Sequence, residues 1–535
     1  MTHQIDLPAS RSQVLVTDNL AQKGVDLLRQ TPGLEVEVQN KLTPDTLKEH
    51  CQGKHALIVR SATRVTADLL SAVPTLKVVG RAGVGVDNVD LDAATARGVV
   101  VMNTPGGNTI SAAEHTVSML LSLAKHIPQA TASMKGGKWE KGKFLSVELS
   151  AKVLGVIGLG RIGSEVAKRA KAFNLRVMVF DPFVSAEAAE ALGVELVDLP
   201  ELYRQADFIT IHTPLTPETT NLICAETIAQ MKDGVRIVNC ARGGIVNEAD
   251  LYEALKRGKV AGAGLDVFAQ EPTTDSPLFS LPNFIATPHL GAASEEAQGA
   301  VAVEIAQQVI DYLQRGIIRN AVNAPSVPLE LLRKLQPYLI LGEKLGRLAS
   351  QLSEGRLAEI HLAYRGEIAS QETTPLTVAM VKGVLDPIHD RVNMVNAMTI
   401  ARGRGIRVVE SKSTEVPDFT SLITVGLHTD RGKIEVEGTL YHQDPRLVGI
   451  DGLRLEAVLD GLLLVYSNMD VPGVIGRIGT MLGKNNVNIA GMQLGRQQRG
   501  GRAVSIVNVD DPIPAPVLEE IRRMPNIVYA KLVRV

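Results

Sequence analysis

One pattern limits what this chain can become more than any other. Over the first 325 residues, short apolar strand-like runs alternate with helical periodicity, and the alternation starts twice. Apolar runs at 14–16, 56–59, 77–79 and 99–102 are joined by helix-like sequence, the first of it at 21–30. The rhythm restarts at 153–157 and runs through 176–180, 208–211, 235–238 and 262–266 to 284–286. A strand that returns through a helix lies parallel to its predecessor, so two doubly wound α/β units with parallel sheets are expected. Aromatic residues make up only 3% of the chain, so the cores must be built from Val, Leu, Ile and Ala. That composition suits sheets covered by helices on both faces.

At about 150 residues per domain, 535 residues imply three or four domains. Helical patterns at 112–130 and 295–315 flank the second α/β unit and read as crossings between the two units. The first unit is then discontinuous, residues 1–106 with 296–325, and 107–295 forms the second. Residues 320–328 (NAVNAPSVP) read as a linker. A third domain, 326–457, opens with a helical stretch at 329–355 and continues as short strands and loops. The fourth, 458–535, shows a ferredoxin-like βαββαβ order. Its strands are expected near 462–467, 489–494, 504–509 and 527–533, its helices near 474–484 and 515–523. The fold class is therefore α/β, with an α+β domain and a ferredoxin-like domain appended. Arg347, Arg402, Arg404 and Arg407 in the third domain read as an anion site or, no less readily, a solvated face.

Net charge is −2 and offers no basic footprint for nucleic acid. Cys51, Cys224 and Cys240 form no CxxC pair, so neither a disulfide framework nor a metal site is expected. The N-terminal MTHQIDLPASRSQ lacks the apolar core of a signal peptide, and no apolar run approaches the roughly 20 residues of a membrane span. A cytoplasmic location is the expectation.

Gly158-Leu-Gly160-Arg-Ile-Gly163 follows a strand and opens a helix. In such a turn Gly158 permits the reversal, Gly160 lets backbone approach a pyrophosphate, and Gly163 lets helix and strand pack closely. The backbone N–H groups near Arg161 and Ile162 would hold the phosphates at the helix N-terminus. Asp181 ends the next strand, 18 residues after Gly163. A carboxylate there accepts from both ribose hydroxyls and repels a 2′-phosphate, so the expected cofactor is NAD.

Three further residues follow strands of the second unit, where doubly wound folds bind ligands. Arg242 offers a fork for a carboxylate. Glu271 and His289 could pair, the Glu fixing the imidazole tautomer and leaving the other nitrogen for a substrate hydroxyl. In the first unit, Arg60 and Arg81 end strands, and two guanidinium groups would suit a phosphate dianion; Asn108 could add a hydrogen bond.

The run GxGxxG, CARGGIV, LDVF..EP and TPHLGA resembles the D-isomer-specific 2-hydroxyacid dehydrogenases over about residues 10–325. The resemblance implies that Arg242 binds substrate, Glu271 supports His289 and His289 is the acid/base. It adds Thr213, Cys240, Ala241, Asp266, Gly291 and Ala292 to the cofactor positions. Val84 also falls there, where relatives often carry Thr. VRSAT, VGRAG.GVDNVD, MNTP.GN..SAAE and HTPLTPET resemble the phosphoglycerate dehydrogenase branch. That branch implies 3-phosphoglycerate as substrate, held by Arg60, Ser61, Arg81, Asn108, Arg242 and His289. It also implies a homodimer or homotetramer, with Trp139 at the subunit contact and Lys141 near the neighbouring cleft.

The fourth domain, with Asp470-Val-Pro-Gly473 and Asn486-Val-Asn-Ile489, resembles the ACT regulatory domains. The resemblance implies L-serine as an effector at Asp470 and Asn488. Two alternatives remain at this stage: a glyoxylate or hydroxypyruvate reductase, and an NAD-sensing protein without catalysis.

Overall fold

The computed structural model describes residues 11–416 and 418–535, apart from the Leu329 side chain. The first unit is a five-stranded parallel sheet in the order Leu34–Val38, Ser12–Val16, Ala56–Val59, Val78–Arg81, Val100–Met102. Central strands such as Ala56–Val59 are wholly buried, which is why they read as unbroken apolar runs. The first strand in this order, Leu34–Val38, was not anticipated. Its sequence LEVEV sits at the sheet edge and carries a charge at every second position.

The second unit is a seven-stranded parallel sheet. Strand Val153–Ile157 lies between Arg176–Phe180 on one side and Phe208–Ile211 on the other. Beyond Phe208–Ile211 come Val235–Asn239, Val260–Leu265 and Phe284–Ala286. The strand order reverses at Val153–Ile157, and the carboxyl ends on either side of that reversal form a crevice.

The helix Glu295–Arg315 packs on the first unit. Val301, Ile305, Ala306 and Val309 share a core with Val14, Ile58 and Met102. At its closest approach a Cβ on Gly24 would lie 2.5 Å from the Ala302 carbonyl oxygen. The helix Thr109–Lys125 packs instead on the second sheet through Met119, Leu120 and Leu123. The pattern at 112–130 suggested one helix. It is two, Thr109–Lys125 and Ile127–Lys135, because His126 takes a left-handed φ of 56° and Pro128 opens the second helix.

In the third domain, helices Leu329–Leu352 and Thr374–Leu385 cover a six-stranded mixed sheet. Its strands reach ten residues in Leu357–Gly366 and Gly432–Tyr441, longer than the broken texture of the sequence suggested. The C-terminal domain is an antiparallel four-stranded sheet, with its first strand Leu462–Met469 between Arg502–Val509 and Ile527–Arg534. One face of this sheet, through Leu463, Val465, Ile506 and Val533, shares a core with Leu345 and Leu348 of the third domain. The third domain also reaches the first unit. Asn393 donates to the Gly98 carbonyl at 2.7 Å, and Val395 is buried in the first unit's core.

Candidate active site

The glycine turn sits at the strand reversal. Gly158 has φ +94°, and a Cβ there would lie 2.8 Å from the His212 carbonyl oxygen. A Cβ on Gly163 would lie 2.0 Å from the Gly158 carbonyl oxygen, so helix Arg161–Ala172 can pack this close only without one. Around Gly160 no atom lies within 4 Å of the equivalent position, and the helix that starts there has no side-chain cap. Its N–H groups near Arg161 and Ile162 thus face open space, which fits a pyrophosphate. Across the crevice, Thr213 Oγ1 is buried with no hydrogen-bond partner, as a group awaiting a ligand would be. Asp181 accepts from the backbone N–H groups of Leu159 (2.8 Å) and Phe183 (2.9 Å), which fixes its carboxylate beside the glycine turn.

Farther along the same sheet edge, His289 Nδ1 lies 2.7 Å from Glu271 Oε2. The other carboxylate oxygen of Glu271 accepts from the Phe268 N–H at 3.0 Å. Burial works to raise the Glu271 pKa, but His289 and the Phe268 N–H outweigh it and hold the carboxyl below its ordinary value. Glu271 is therefore an anion, and it leaves His289 Nε2 as the free imidazole nitrogen.

His289 itself takes a left-handed φ of 57°. That backbone is pinned by Asp266, which is fully buried. The Asp266 carbonyl accepts from the His289 N–H at 2.8 Å. Its carboxylate accepts from the N–H groups of Leu290 (2.7 Å) and Gly291 (2.9 Å), from Thr287 Oγ1 (2.5 Å) and from His115 Nε2 (3.2 Å). Burial pushes the Asp266 pKa up, yet His115, Thr287 and the Leu290 N–H together bring it below the usual value. The motif reading missed His115 and Thr287. The available signal was a histidine facing the core on a helix that leads into the cleft.

Arg242 reaches from the second unit to the first, donating from Nε to Asp87 Oδ2 at 3.1 Å. Its loop is tied by Asn239, whose side chain donates to the Arg242 carbonyl and accepts from the Ala241 N–H. The glycines of Gly80-Arg-Ala-Gly-Val-Gly85 make room for guanidinium groups. A Cβ on Gly85 would lie 2.1 Å from Arg242 Nη2, and one on Gly83 would overlap Arg81 Nη1 at 1.6 Å. Burial first, then the positive charges of Arg242 and Arg60, push the Arg81 guanidinium down to about 10, against the pull of Asp87 and Asp18. Arg81 Nε is buried without a partner. Asn108 Oδ1 and Thr104 Oγ1 in the following loop are likewise unpaired. Arg60 and Arg242 are thus neighbours of Arg81, while Ser61 is exposed at the end of its strand. The Val84 carbonyl is already taken by Asn103 at 2.6 Å. Burial pushes the Cys240 thiol up to about 12, with Asp266 adding to it, so it is not a thiolate.

The two residues expected to hold an effector look different. Asp470 pairs with Arg496 and accepts from the Gly500 N–H at 3.3 Å. Asn488 donates to Asp510 Oδ2 at 2.6 Å.

Residues 117–291 match the family of the D-isomer specific 2-hydroxyacid dehydrogenase, NAD binding domain. Residues 334–451 match the D-3-phosphoglycerate dehydrogenase intervening domain, and 462–526 the ACT domain. The D-3-phosphoglycerate dehydrogenase of Methanocaldococcus jannaschii is 45% identical over 517 residues, 96% of this chain and 98% of its own. The chain belongs to the D-3-phosphoglycerate dehydrogenase family. The Bacillus subtilis member is 43% identical, over 97% of this chain and 99% of its own. Among solved structures, the TT0316 protein of Thermus thermophilus is 38% identical, with a TM-score of 0.54 over 58% of this chain and 99% of its own. The D-lactate dehydrogenase of Aquifex aeolicus, complexed with NAD and lactic acid, is 31% identical, with a TM-score of 0.52 over 58% of this chain and 100% of its own. The family's dehydrogenase core is an NAD-dependent oxidoreductase.

Proposed function

We propose that this chain oxidises 3-phospho-D-glycerate to 3-phosphohydroxypyruvate with NAD, the first committed step of L-serine synthesis. The observation that carries the reading is Arg81. It is a half-buried side chain whose Nε is buried without a partner, beside Arg60 and Arg242. Three cations gathered with no internal counter-anion for each suit a substrate with both a phosphate and a carboxylate.

NAD, when bound, supplies the hydride acceptor. Gly158, Gly160, Gly163, Arg161 and Ile162 hold its pyrophosphate and Asp181 its ribose. Val84, Thr213, Cys240, Ala241, Asp266, Gly291 and Ala292 line the rest. His289 Nε2 takes the hydroxyl proton in the oxidative direction and returns it in the reductive one. Glu271 holds the imidazole tautomer through Nδ1 and stabilises the imidazolium that forms. Arg242 holds the substrate carboxylate and polarises the forming carbonyl. Arg60, Ser61, Arg81 and Asn108 take the phosphate.

Ile127, Met134, Trp139 and Leu145 are all more than half exposed, at 54%, 54%, 81% and 88%. Such an apolar arm supports a homo-oligomer. Among the described residues no helix is long and apolar enough to cross a membrane, and a cytoplasmic location goes with the reaction. L-serine is the effector proposed for the ACT domain, at Asp470 and Asn488. An NADH-coupled assay offering phosphohydroxypyruvate, glyoxylate and 2-oxoglutarate tests the substrate. Phosphohydroxypyruvate should turn over fastest, and a preference for glyoxylate would replace this reading with that of a reductase.

A further inference from the structure

The third domain carries a cluster that the dehydrogenase reaction does not use. Glu359 and His361 lie two residues apart on strand Leu357–Gly366 and so share one face. The residues between and beyond them, Ile360, Leu362 and Tyr364, are fully buried under the helices, which puts the pair on the outer face. His428, on the antiparallel strand Ser421–Thr429, is the register partner of Glu359. His361 Nε2 lies 2.7 Å and His428 Nδ1 3.6 Å from the same oxygen, Glu359 Oε2. The two imidazoles stack with centroids 4.2 Å apart and planes 22° from parallel.

We propose that Glu359, His361 and His428 form a binding site for a divalent transition-metal ion of the zinc type. Two imidazoles and one carboxylate are a donor set that zinc takes, with a fourth position left open. Bonds of about 2.0 Å in a tetrahedron hold donor atoms about 3.3 Å apart. The two separations to Glu359 Oε2 bracket that value, so small side-chain rotations suffice. The imidazoles select against magnesium and calcium, which prefer oxygen. Opposite His361 the neighbouring strand carries Gly426, whose missing side chain keeps the face open. Beyond Gly426 in register stands Glu435, a second carboxylate for the open position. Arg407 contacts Glu359 Oε1 from the next strand, but its side chain is 74% exposed and free to swing away. Bound metal would tie the two strands together.

The test is calorimetric titration of Zn²⁺ into the chelator-treated full-length chain. The expected result is one equivalent bound by the wild type. His361→Ala and His428→Asn should each weaken that binding by roughly 100-fold or more, beyond the loss typical of an outer-shell partner. Both should retain dehydrogenase activity, which reports that the chain is folded. His115→Phe controls for the donor atoms of His115, Cys240 and Asp266, which also lie within 4.8 Å of one another. The proposal is overturned if the wild type binds no Zn²⁺ at micromolar concentration. It is equally overturned if His361→Ala and His428→Asn bind as the wild type does, or if His115→Phe alone abolishes binding. Should His361→Ala fail to fold, the His428→Asn titration decides.

Discussion

The cleft and the proposed effector positions of the ACT domain are both built from charged and amide side chains, yet they are finished differently. In the cleft, Arg81 Nε, Asn108 Oδ1, Thr104 Oγ1 and Thr213 Oγ1 are buried without partners. In the ACT domain, Asp470 is held by Arg496 and Asn488 by Asp510. An unpaired buried polar group costs about 1–3 kcal/mol, which a ligand entering the cleft would recover; the ACT domain has unpaired groups too, Tyr466, Asn468, Ser505 and Tyr529, but neither Asp470 nor Asn488 is among them. The cleft is therefore poised for substrate and cofactor, whereas an effector at Asp470 must first displace Arg496.

This contrast can be broken at several points. The largest effect falls on His289. His289→Ala should lower kcat by about 10³-fold, because general acid–base catalysis supplies gains of that order, while NAD binding measured by titration stays near wild type. Asp181→Ala should reduce the preference for NAD over NADP by about tenfold in kcat/KM, since the repulsion of a 2′-phosphate goes with the carboxylate. A smaller loss, several-fold in kcat, is expected for His115→Phe, which removes one donor to Asp266 and loosens the His289 backbone.

The same variant carries a pH signature. Asp266 has a folded pKa below its unfolded value of about 3.9, so its stabilisation is full above that pH and is lost as pH falls through the folded value. Removing His115 raises the folded value, and the acid-unfolding midpoint followed by circular dichroism should move to higher pH. The smallest effect belongs to the ACT domain. Arg496→Ala frees Asp470 and should leave basal activity unchanged while lowering the L-serine concentration needed for half inhibition by a few-fold. The Arg496–Asp470 pair is partly exposed, so its loss should cost little stability.

Much of the cleft was legible because its chemistry lies at strand ends in short contiguous motifs. Gly158 to Gly163 and Asp181 directly follow their strands, and Arg242, Glu271 and His289 lie in the loops that follow theirs. The pieces that escaped notice join distant segments. His115 meets Asp266 across 151 positions of sequence, and Gly83 and Gly85 leave space that guanidinium groups occupy where a Cβ would stand. Edge strand Leu34–Val38 was legible in principle, since LEVEV alternates apolar and charged residues as a half-exposed strand does, but the run is short and carries no motif. The break at His126 escaped because apolar periodicity runs straight across it. The third domain was least legible, since its strands face helices on one side and solvent on the other, and no motif marks either face.

The most direct measurement compares phosphohydroxypyruvate with hydroxypyruvate, which lacks only the phosphate, in wild type and Arg81→Ala. Wild type should favour the phosphorylated substrate strongly in kcat/KM. Arg81→Ala should raise KM for it by about 10- to 100-fold, the value of one or two charge-assisted hydrogen bonds, with little change for hydroxypyruvate. Equal use of the two substrates by the wild type, or an unchanged preference in Arg81→Ala, would contradict the assignment of the arginine cluster to a phosphate.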